Sequence, residues 1–183
     1  MKELYTERLK NMTYNTKPYL ILLFVTAILI NFHYCSYTFT GASVPEHLTS
    51  IAIPIIEDRS GSGEPDLRET FTNELIQKFI DDNTLRVAEK VNADALLECT
   101  VLSLSDSPTV VAGGENVTVR RININARVVY KDLIKRKTLF DRSFSNFGDY
   151  ENTGDIITVR KEAINTAVDK ITEDILLAVV SNW

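Results

Sequence analysis

Residues 117–130 read VTVRRININARVVY. Over most of this stretch apolar side chains alternate with polar ones, which is the two-residue period of a β-strand with one buried face. The apolar side consists of Ile122, Ile124, Ala126, Val128 and Tyr130. The polar side consists of Arg121, Asn123, Asn125 and Arg127. The pattern predicts a long strand in a sheet that is covered on one side and open on the other.

Shorter alternating patterns flank this stretch and predict the other strands. Ile51, Ile53 and Ile55 predict a first strand, and Pro54 places it at a sheet edge or at a bulge near its end, because proline cannot donate to a ladder. The remaining predicted strands cover residues 85–88, 95–101 and 138–145.

The connection before the long strand has a different composition. Residues 103–115 are rich in Ser, Pro and Gly and contain Gly113-Gly114, a hairpin-type pair. We expect a connection that is longer than a minimal turn, with a tip that is mobile or reaches a partner.

Two segments repeat apolar residues at the three-to-four spacing of an amphipathic helix. The first covers residues 65–81, where Pro65 suits the first helical turn. The second follows Asp155, whose carboxylate can cap a helix, and continues to Val179. Strands between two such helices predict an α+β fold, with two helices packed on one face of a four- to five-stranded mixed sheet.

The charges divide unevenly along the 183 residues. The first 35 residues carry a net charge of +2, whereas the whole chain carries -5, so the rest carries -7. A net acidic body argues against non-specific nucleic-acid binding, which needs an excess of bases. The length fits one domain plus a targeting segment.

The targeting segment is the apolar run YLILLFVTAILI at residues 19–30. It is shorter than the about 20 residues that a spanning helix needs, but it has the length of the apolar region of a secretory signal. Lys10 and Lys17 lie on its N-terminal side, as export requires. We therefore predict a signal peptide or N-terminal membrane anchor in residues 1–34 and one domain in residues 35–183.

Two cysteines leave two possibilities open. Cys35, five residues after the apolar run, can pair with Cys99 in an exported protein, or it can be the acylated residue of a lipoprotein. Phe32 and Tyr34 occupy positions where cleavage before an acylated cysteine prefers small side chains. Cys99 lies within a predicted strand, where we expect a small buried apolar group.

Residues that carry chemistry are scarce. The only histidines are His33 and His47, and neither has a cysteine or carboxylate at metal-ligand spacing. The sequence contains no phosphate-binding loop and no nucleophile elbow. We therefore expect no catalytic residues, no metal site and no cofactor.

Basic residues are the one group in the sequence whose positions suggest a binding site. They cluster on the polar side of the long strand, near its start and at the following turn, where they can donate charge-assisted hydrogen bonds to phosphate oxygens. A solvated hairpin whose lysines discourage edge-to-edge aggregation explains the same pattern. The residues are Arg120, Arg121, Arg127, Lys135, Arg136 and Lys137.

Several short stretches resemble the LptE family of lipopolysaccharide-assembly lipoproteins. Residues 35–43 read CSYTFTGAS and are similar to the opening of the mature family proteins, where an acylated cysteine precedes a strand. Residues 70–87 (TFTNELIQKFIDDNTLRV) resemble the first helix and second strand of the family. Residues 92–94 with 97–101 resemble its third strand, and the helix that ends near Trp183 resembles its last.

The resemblance implies a function as well as a fold. Such proteins are non-catalytic partners of the LptD β-barrel at the periplasmic side of the outer membrane, where they help to deliver lipopolysaccharide to the cell surface. It implies Cys35 as the lipidation site, and it makes lipopolysaccharide the expected ligand of the six basic residues. The alternatives are a periplasmic adaptor lipoprotein of another envelope complex and an enzyme with an unfamiliar site.

Overall fold

The computed structural model describes residues 44–112 and 116–181. The predicted signal or anchor, Cys35 and the Gly113-Gly114 pair lie outside these residues. The described elements follow in chain order: β1 (Ser50–Ala52), β2 (Glu57–Asp58), α1 (Leu67–Asp82), β3 (Arg86–Val87), a short 3-10 helix (Lys90–Asn92), β4 (Ala95–Ala112), β5 (Asn116–Asp132), β6 (Lys137–Glu151) and α2 (Ile156–Val180).

These elements confirm the predicted α+β fold, with a mixed sheet that has six strands instead of four to five. The order is β3-β1-β4-β5-β6, and β2 pairs with β4 farther along. β1 and β2 run parallel to β4, and β4, β5 and β6 form an antiparallel meander. The extra strand is β2, whose two residues pair with Thr100 and Val101 and are too few to show a period.

Of the two positions predicted for Pro54, the structure excludes the sheet edge, because β1 lies between β3 and β4. Pro54 lies where the pairing with β4 is interrupted, since residues 53–56 stand opposite only residues 97–99 and thus contain one extra residue. Another sequence prediction about strands is wrong. β4 continues to Ala112, where a long connection was expected. A register shift between Val101 and Ser103 leaves Leu102 without a partner in β5. Beyond this bulge, alternation resumes in the opposite phase, so the continued strand is hidden in the sequence.

The core lies between the two helices and one face of the sheet. β5 contributes the predicted apolar side, of which every member is buried. The helices run parallel. Near their starts Lys161 of α2 pairs with Asp66, which precedes α1, and farther along Lys78 of α1 pairs with Asp169 and Glu173 of α2. Asp155 caps α2 as predicted, accepting hydrogen bonds from Ile157 N and Thr158 Oγ1. Neither helix in the described residues is long and apolar enough to cross a membrane.

Cys99 is buried in this core, as expected, with 5% of its surface exposed. Burial raises the pKa of its thiol to about 12, because the thiolate is poorly solvated there. The side chain therefore behaves as an apolar group. Its pairing with Cys35 concerns a residue outside the described chain.

Asp94 fastens the start of β1 to the start of β4. Its Oδ2 accepts hydrogen bonds from Thr49 N at 3.0 Å, Thr49 Oγ1 at 2.7 Å, Ser50 N at 3.1 Å and Ser50 Oγ at 2.9 Å. These donors stabilise the carboxylate and lower its pKa from 3.8 to about 2. Asp94 is thus the brace that holds two parallel strands in register at this end.

Replacing Asp94 with asparagine is expected to lower the free energy of unfolding by about 1.5 kcal/mol at pH 7, after allowance for screening at a partly exposed site. The folded-state pKa is depressed, so this stabilisation is present above the ordinary pKa and is lost as pH falls towards 2. The difference in unfolding free energy between the wild-type protein and Asp94→Asn should be roughly half as large at pH 3 as at pH 7. Urea unfolding at both pH values measures it. Asp81→Asn is the control, because Asp81 is exposed; it should change neither the unfolding free energy at pH 7 nor its dependence on pH. An equal loss of stability in both variants contradicts the structural role of Asp94.

Candidate functional site

The structure separates the six predicted basic residues into three groups. Arg120 lies on the helix-covered face of the sheet, because it shares the parity of Ile122 in β5. Arg121 and Arg127 lie on the open face, about 20 Å apart along the strand. Lys135 and Arg136 lie in the turn between β5 and β6, and Lys137 is the first residue of β6. The six residues therefore do not form one patch.

Arg120 belongs to a network of charges beneath the helices. Its Nε donates to Asp106 Oδ1 at 2.8 Å and to the Tyr150 hydroxyl at 3.0 Å. Tyr150 donates to Asp106 Oδ2 at 2.8 Å, and Arg160 Nε donates to the same oxygen at 3.2 Å. Arg160 also pairs with Glu64, which precedes α1. The network joins β4, β5, β6, α2 and the segment before α1.

The same contacts set the protonation of Asp106. Burial favours its neutral form, but the donors Tyr150, Arg120 and Arg160 outweigh burial and hold the pKa below its ordinary value. Asp106 is thus a carboxylate shared between two guanidinium groups, and Arg120 is occupied inside the fold. Its role here is structural.

On the open face, each arginine is paired with an aspartate of β6. Arg121 Nε and Nη2 donate to the two carboxylate oxygens of Asp149 at 2.6 and 2.8 Å. Arg127 binds Asp141 in the same two-pronged way. The guanidinium of Arg121 also lies 3.7 Å from the ring centroid of Phe147. The arginine hydrogen bonds lower the pKa of both aspartates.

Between these ion pairs the open face carries small uncharged polar side chains and one aromatic ring, Phe147, which lies opposite Asn123. The β4-β5-β6 register places serines and asparagines there in three adjacent rows. Asn125 Oδ1 is buried and has no hydrogen-bond partner among the described residues. The members of this polar face are Ser103, Ser105, Ser107, Asn123, Asn125, Ser143 and Ser145.

The turn between β5 and β6 is the most accessible basic group. Lys135, Arg136 and Lys137 are exposed, and none pairs with a carboxylate within the described ranges. Arg136 has a left-handed backbone with φ of 54°. Asp132 supports the turn, since its Oδ1 accepts the Lys135 N–H at 2.7 Å.

A histidine-aspartate pair holds the start of the domain against this turn. His47 Nε2 lies 2.7 Å from Oδ2 of Asp132, whose side chain is 1% exposed. Burial opposes the charge on Asp132, but the Lys135 N–H and His47 outweigh it and hold the pKa below its ordinary value. The partners are 85 residues apart in sequence, so no spacing rule could have revealed the pair.

One groove of about 350 Å³ lies between the N-terminal ends of the helices. Ile156, Ile157 and Ile164 provide apolar walls, and the ion pairs of Arg160 with Glu64 and Lys161 with Asp66 close it at the rim. The described part of the chain has no group of three metal-ligating side chains. The groove therefore offers packing surface, with its charged groups already paired.

Comparison with known proteins agrees with this fold. Hypothetical protein CT253 from Chlamydia trachomatis is 10% identical, with a TM-score of 0.56, and the match covers 72% of this chain and 95% of that one. Protein XCC0632 from Xanthomonas campestris is 14% identical, with a TM-score of 0.57 and coverage of 76% and 87%. At these identities the likeness concerns the fold alone. No curated protein matches the sequence.

A family model described as LptE, lipopolysaccharide-assembly, matches residues 48–179. The match begins two residues before β1 and ends one residue before the end of α2. It includes every described strand and both helices, so it covers the whole two-layer domain. The chain belongs to the LptE family of lipopolysaccharide-assembly proteins.

Proposed function

We propose that the protein is a non-catalytic outer-membrane assembly factor, anchored at the periplasmic side through Cys35, that partners an LptD-type β-barrel and helps to deliver lipopolysaccharide to the cell surface. Membership in the family supports the assembly role. The domain in residues 35–183 carries that role, and residues 1–34 direct export.

The observation that carries the barrel partnership is the polar open face. An exposed sheet face that docks on an ordinary protein surface has an apolar centre depleted in charge. Here the centre consists of serine and asparagine with a single aromatic ring, Phe147, opposite Asn123. The charges of Arg121 and Arg127 are neutralised by aspartates of the same sheet. The lumen of an outer-membrane barrel is polar, so this face is complementary to a barrel interior.

The open-face arginines are the proposed contacts for lipopolysaccharide phosphates. Arg121 and Arg127 present guanidinium groups towards the partner side, and a phosphate can take the place of an aspartate in a two-pronged hydrogen bond. Arg120 is left out of this proposal because Asp106 and Tyr150 occupy its Nε.

Site-specific photocrosslinking in cells tests the partnership. A crosslinking amino acid at Ser105 or Ser145, on the polar face, is expected to capture a large outer-membrane barrel. The matched controls are Gln77 on α1 and Glu162 on α2, which are exposed on the opposite side of the domain. These positions should capture little or none of it, because the helices face away from the proposed lumen.

Depleting the protein from cells tests the assembly function itself. Loss of the protein should lower the amount of folded barrel and of surface lipopolysaccharide. Normal levels of both, together with capture of a different envelope complex from Ser105 and Ser145, contradict the proposal and select the adaptor role.

A further inference from the structure

We propose that one end of the domain docks on a bilayer surface that carries anionic phospholipids. This basic end consists of residues 46–47, 90–92 and 134–137. The inference rests on the membrane attachment in the proposed function. It assigns Lys135, Arg136 and Lys137 to anionic phospholipids instead of to the lipopolysaccharide that is being transported.

Short backbone and side-chain contacts gather these three segments. Leu133 N donates to Asp94 O at 2.8 Å, which places the turn beside the chain that follows the 3-10 helix. Asp132 binds the Lys135 N–H and His47 through its two oxygens. The chain that arrives from the N-terminal segment therefore enters the domain at this end.

The exposed side chains of the basic end combine apolar and basic groups. Val91 is 85% exposed and Ile134 is 55% exposed, and neither lies in a strand or an α-helix that buries one side. The exposed acids beside these side chains are Glu46 and Glu89. The carboxylates of Asp94 and Asp132 also lie at this end, and each is bound by hydrogen bonds within the domain. The four bases are Lys90, Lys135, Arg136 and Lys137.

Chain length ties this end to the membrane. Cys35 precedes Val44, the first described residue, by nine positions, and nine residues span at most about 30 Å. The opposite end of β4 lies about 60 Å away along the strand. An attachment at Cys35 therefore keeps the basic end near the bilayer and leaves the other end of the sheet beyond its reach.

The side chains match what such a surface binds. Each Lys or Arg near an anionic leaflet raises partitioning about fivefold, and an exposed aliphatic side chain adds burial at the headgroup boundary.

Depth-sensitive fluorescence on the full chain tests the contact. An environment-sensitive fluorescent amino acid replaces Ile134, and the protein is reconstituted into phosphatidylcholine vesicles with or without phosphatidylglycerol. We expect a blue shift and quenching by spin-labelled lipid only with phosphatidylglycerol. In the variant K135S/R136S/K137S, the ratio of molecules whose turn is bound to the membrane to molecules whose turn is in water should fall by a factor on the order of 100.

Controls separate this contact from general charge effects and from the assembly role. The variant K161S/K170S removes two positive charges of α2 away from the basic end and should dock normally, and the probe placed at Ser105 should stay in water. The turn variant should retain lipopolysaccharide binding and crosslinking to the barrel from Ser105. An Ile134 probe that stays in water, or a turn variant that loses lipopolysaccharide binding while docking is unchanged, overturns the proposal.

Discussion

Replacing Gly148 with alanine is expected to lower the free energy of unfolding by about 3 kcal/mol, because β6 and α2 touch at this residue. A Cβ added to Gly148 would lie 2.0 Å from the carbonyl oxygen of Ala163 and 2.8 Å from its carbonyl carbon. Backbone atoms cannot rotate away as a side chain can. The helix must therefore move off the sheet, which loosens the apolar contacts of Ala163 and Ala167.

The sign of the effect distinguishes crowding from backbone strain. Gly148 does not have the positive φ that restricts Gly61, Gly63 and Gly154. Where a glycine has ordinary backbone angles and open space around it, replacement by alanine usually raises the free energy of unfolding by about 0.4–1 kcal/mol, because the unfolded chain has less conformational entropy. A loss of stability at Gly148 therefore measures the close approach of α2.

Urea unfolding of Gly148→Ala measures this loss, with Ser143→Ala as the matched control. Ser143 lies in the same strand on the exposed open face, so its replacement should change stability by less than about 0.5 kcal/mol. An alanine at position 148 that leaves stability unchanged or raises it contradicts the contact between β6 and α2.

The elements with a sustained local period were predictable from the sequence. The burial of Ile122, Ile124 and Ala126 and the apolar stripes of both helices follow directly from spacing, since each side chain's direction is set by its own backbone. The cap at Asp155 is equally local. These features define the two-layer architecture, and the structure confirms them.

The elements that depend on a bulge or on distant pairing were not predictable. The shift after Val101 reverses the phase of β4, so its second half shows no continuous alternation with the first. β2 is too short for any period, and the contact between His47 and Asp132 joins residues far apart in the chain. These features depend on how distant strands pair, which no local spacing in the sequence indicates.

Arg120 shows that one signal was present in the sequence and was overlooked. It follows the same two-residue parity as Ile122 and Ile124, which places it on the covered face. Grouping it with Arg121 by proximity in the chain ignored that adjacent strand residues point to opposite faces. Asp106 lies on the same face, opposite Ile122, but only because of the bulge in β4, so the sequence alone did not pair it with Arg120.

Replacing Asp106 with asparagine is expected to lower the free energy of unfolding by about 2 kcal/mol at pH 7. Removing one member of a fully buried ion pair costs about 3–5 kcal/mol because the remaining charge stays unpaired. Here the side chains of Asp106, Arg120 and Arg160 are 21%, 30% and 28% exposed, so water screens part of that cost. Two guanidinium groups lose their shared carboxylate, and the link between α2 and the β4-β5 pair weakens.

The pH dependence of this loss follows from the depressed pKa of Asp106. The stabilisation is fully present above the ordinary carboxylate pKa of 3.8 and is lost as pH falls below it. The difference between wild type and Asp106→Asn should therefore shrink in acid. Hydrogen exchange should also become faster in residues 103–112 and 116–122, on the side of the sheet that the network holds to α2.

Asp141→Asn is the matched control, because it also removes an aspartate that binds one arginine through two oxygens. Its partner Arg127 lies on the open face with 55% of its side chain exposed, so the loss should stay below about 1 kcal/mol. Equal losses in the two variants contradict a structural network around Asp106. A larger loss at Asp106 distinguishes Arg120, whose ion pair holds the fold, from Arg127, whose ion pair on the open face contributes little to stability.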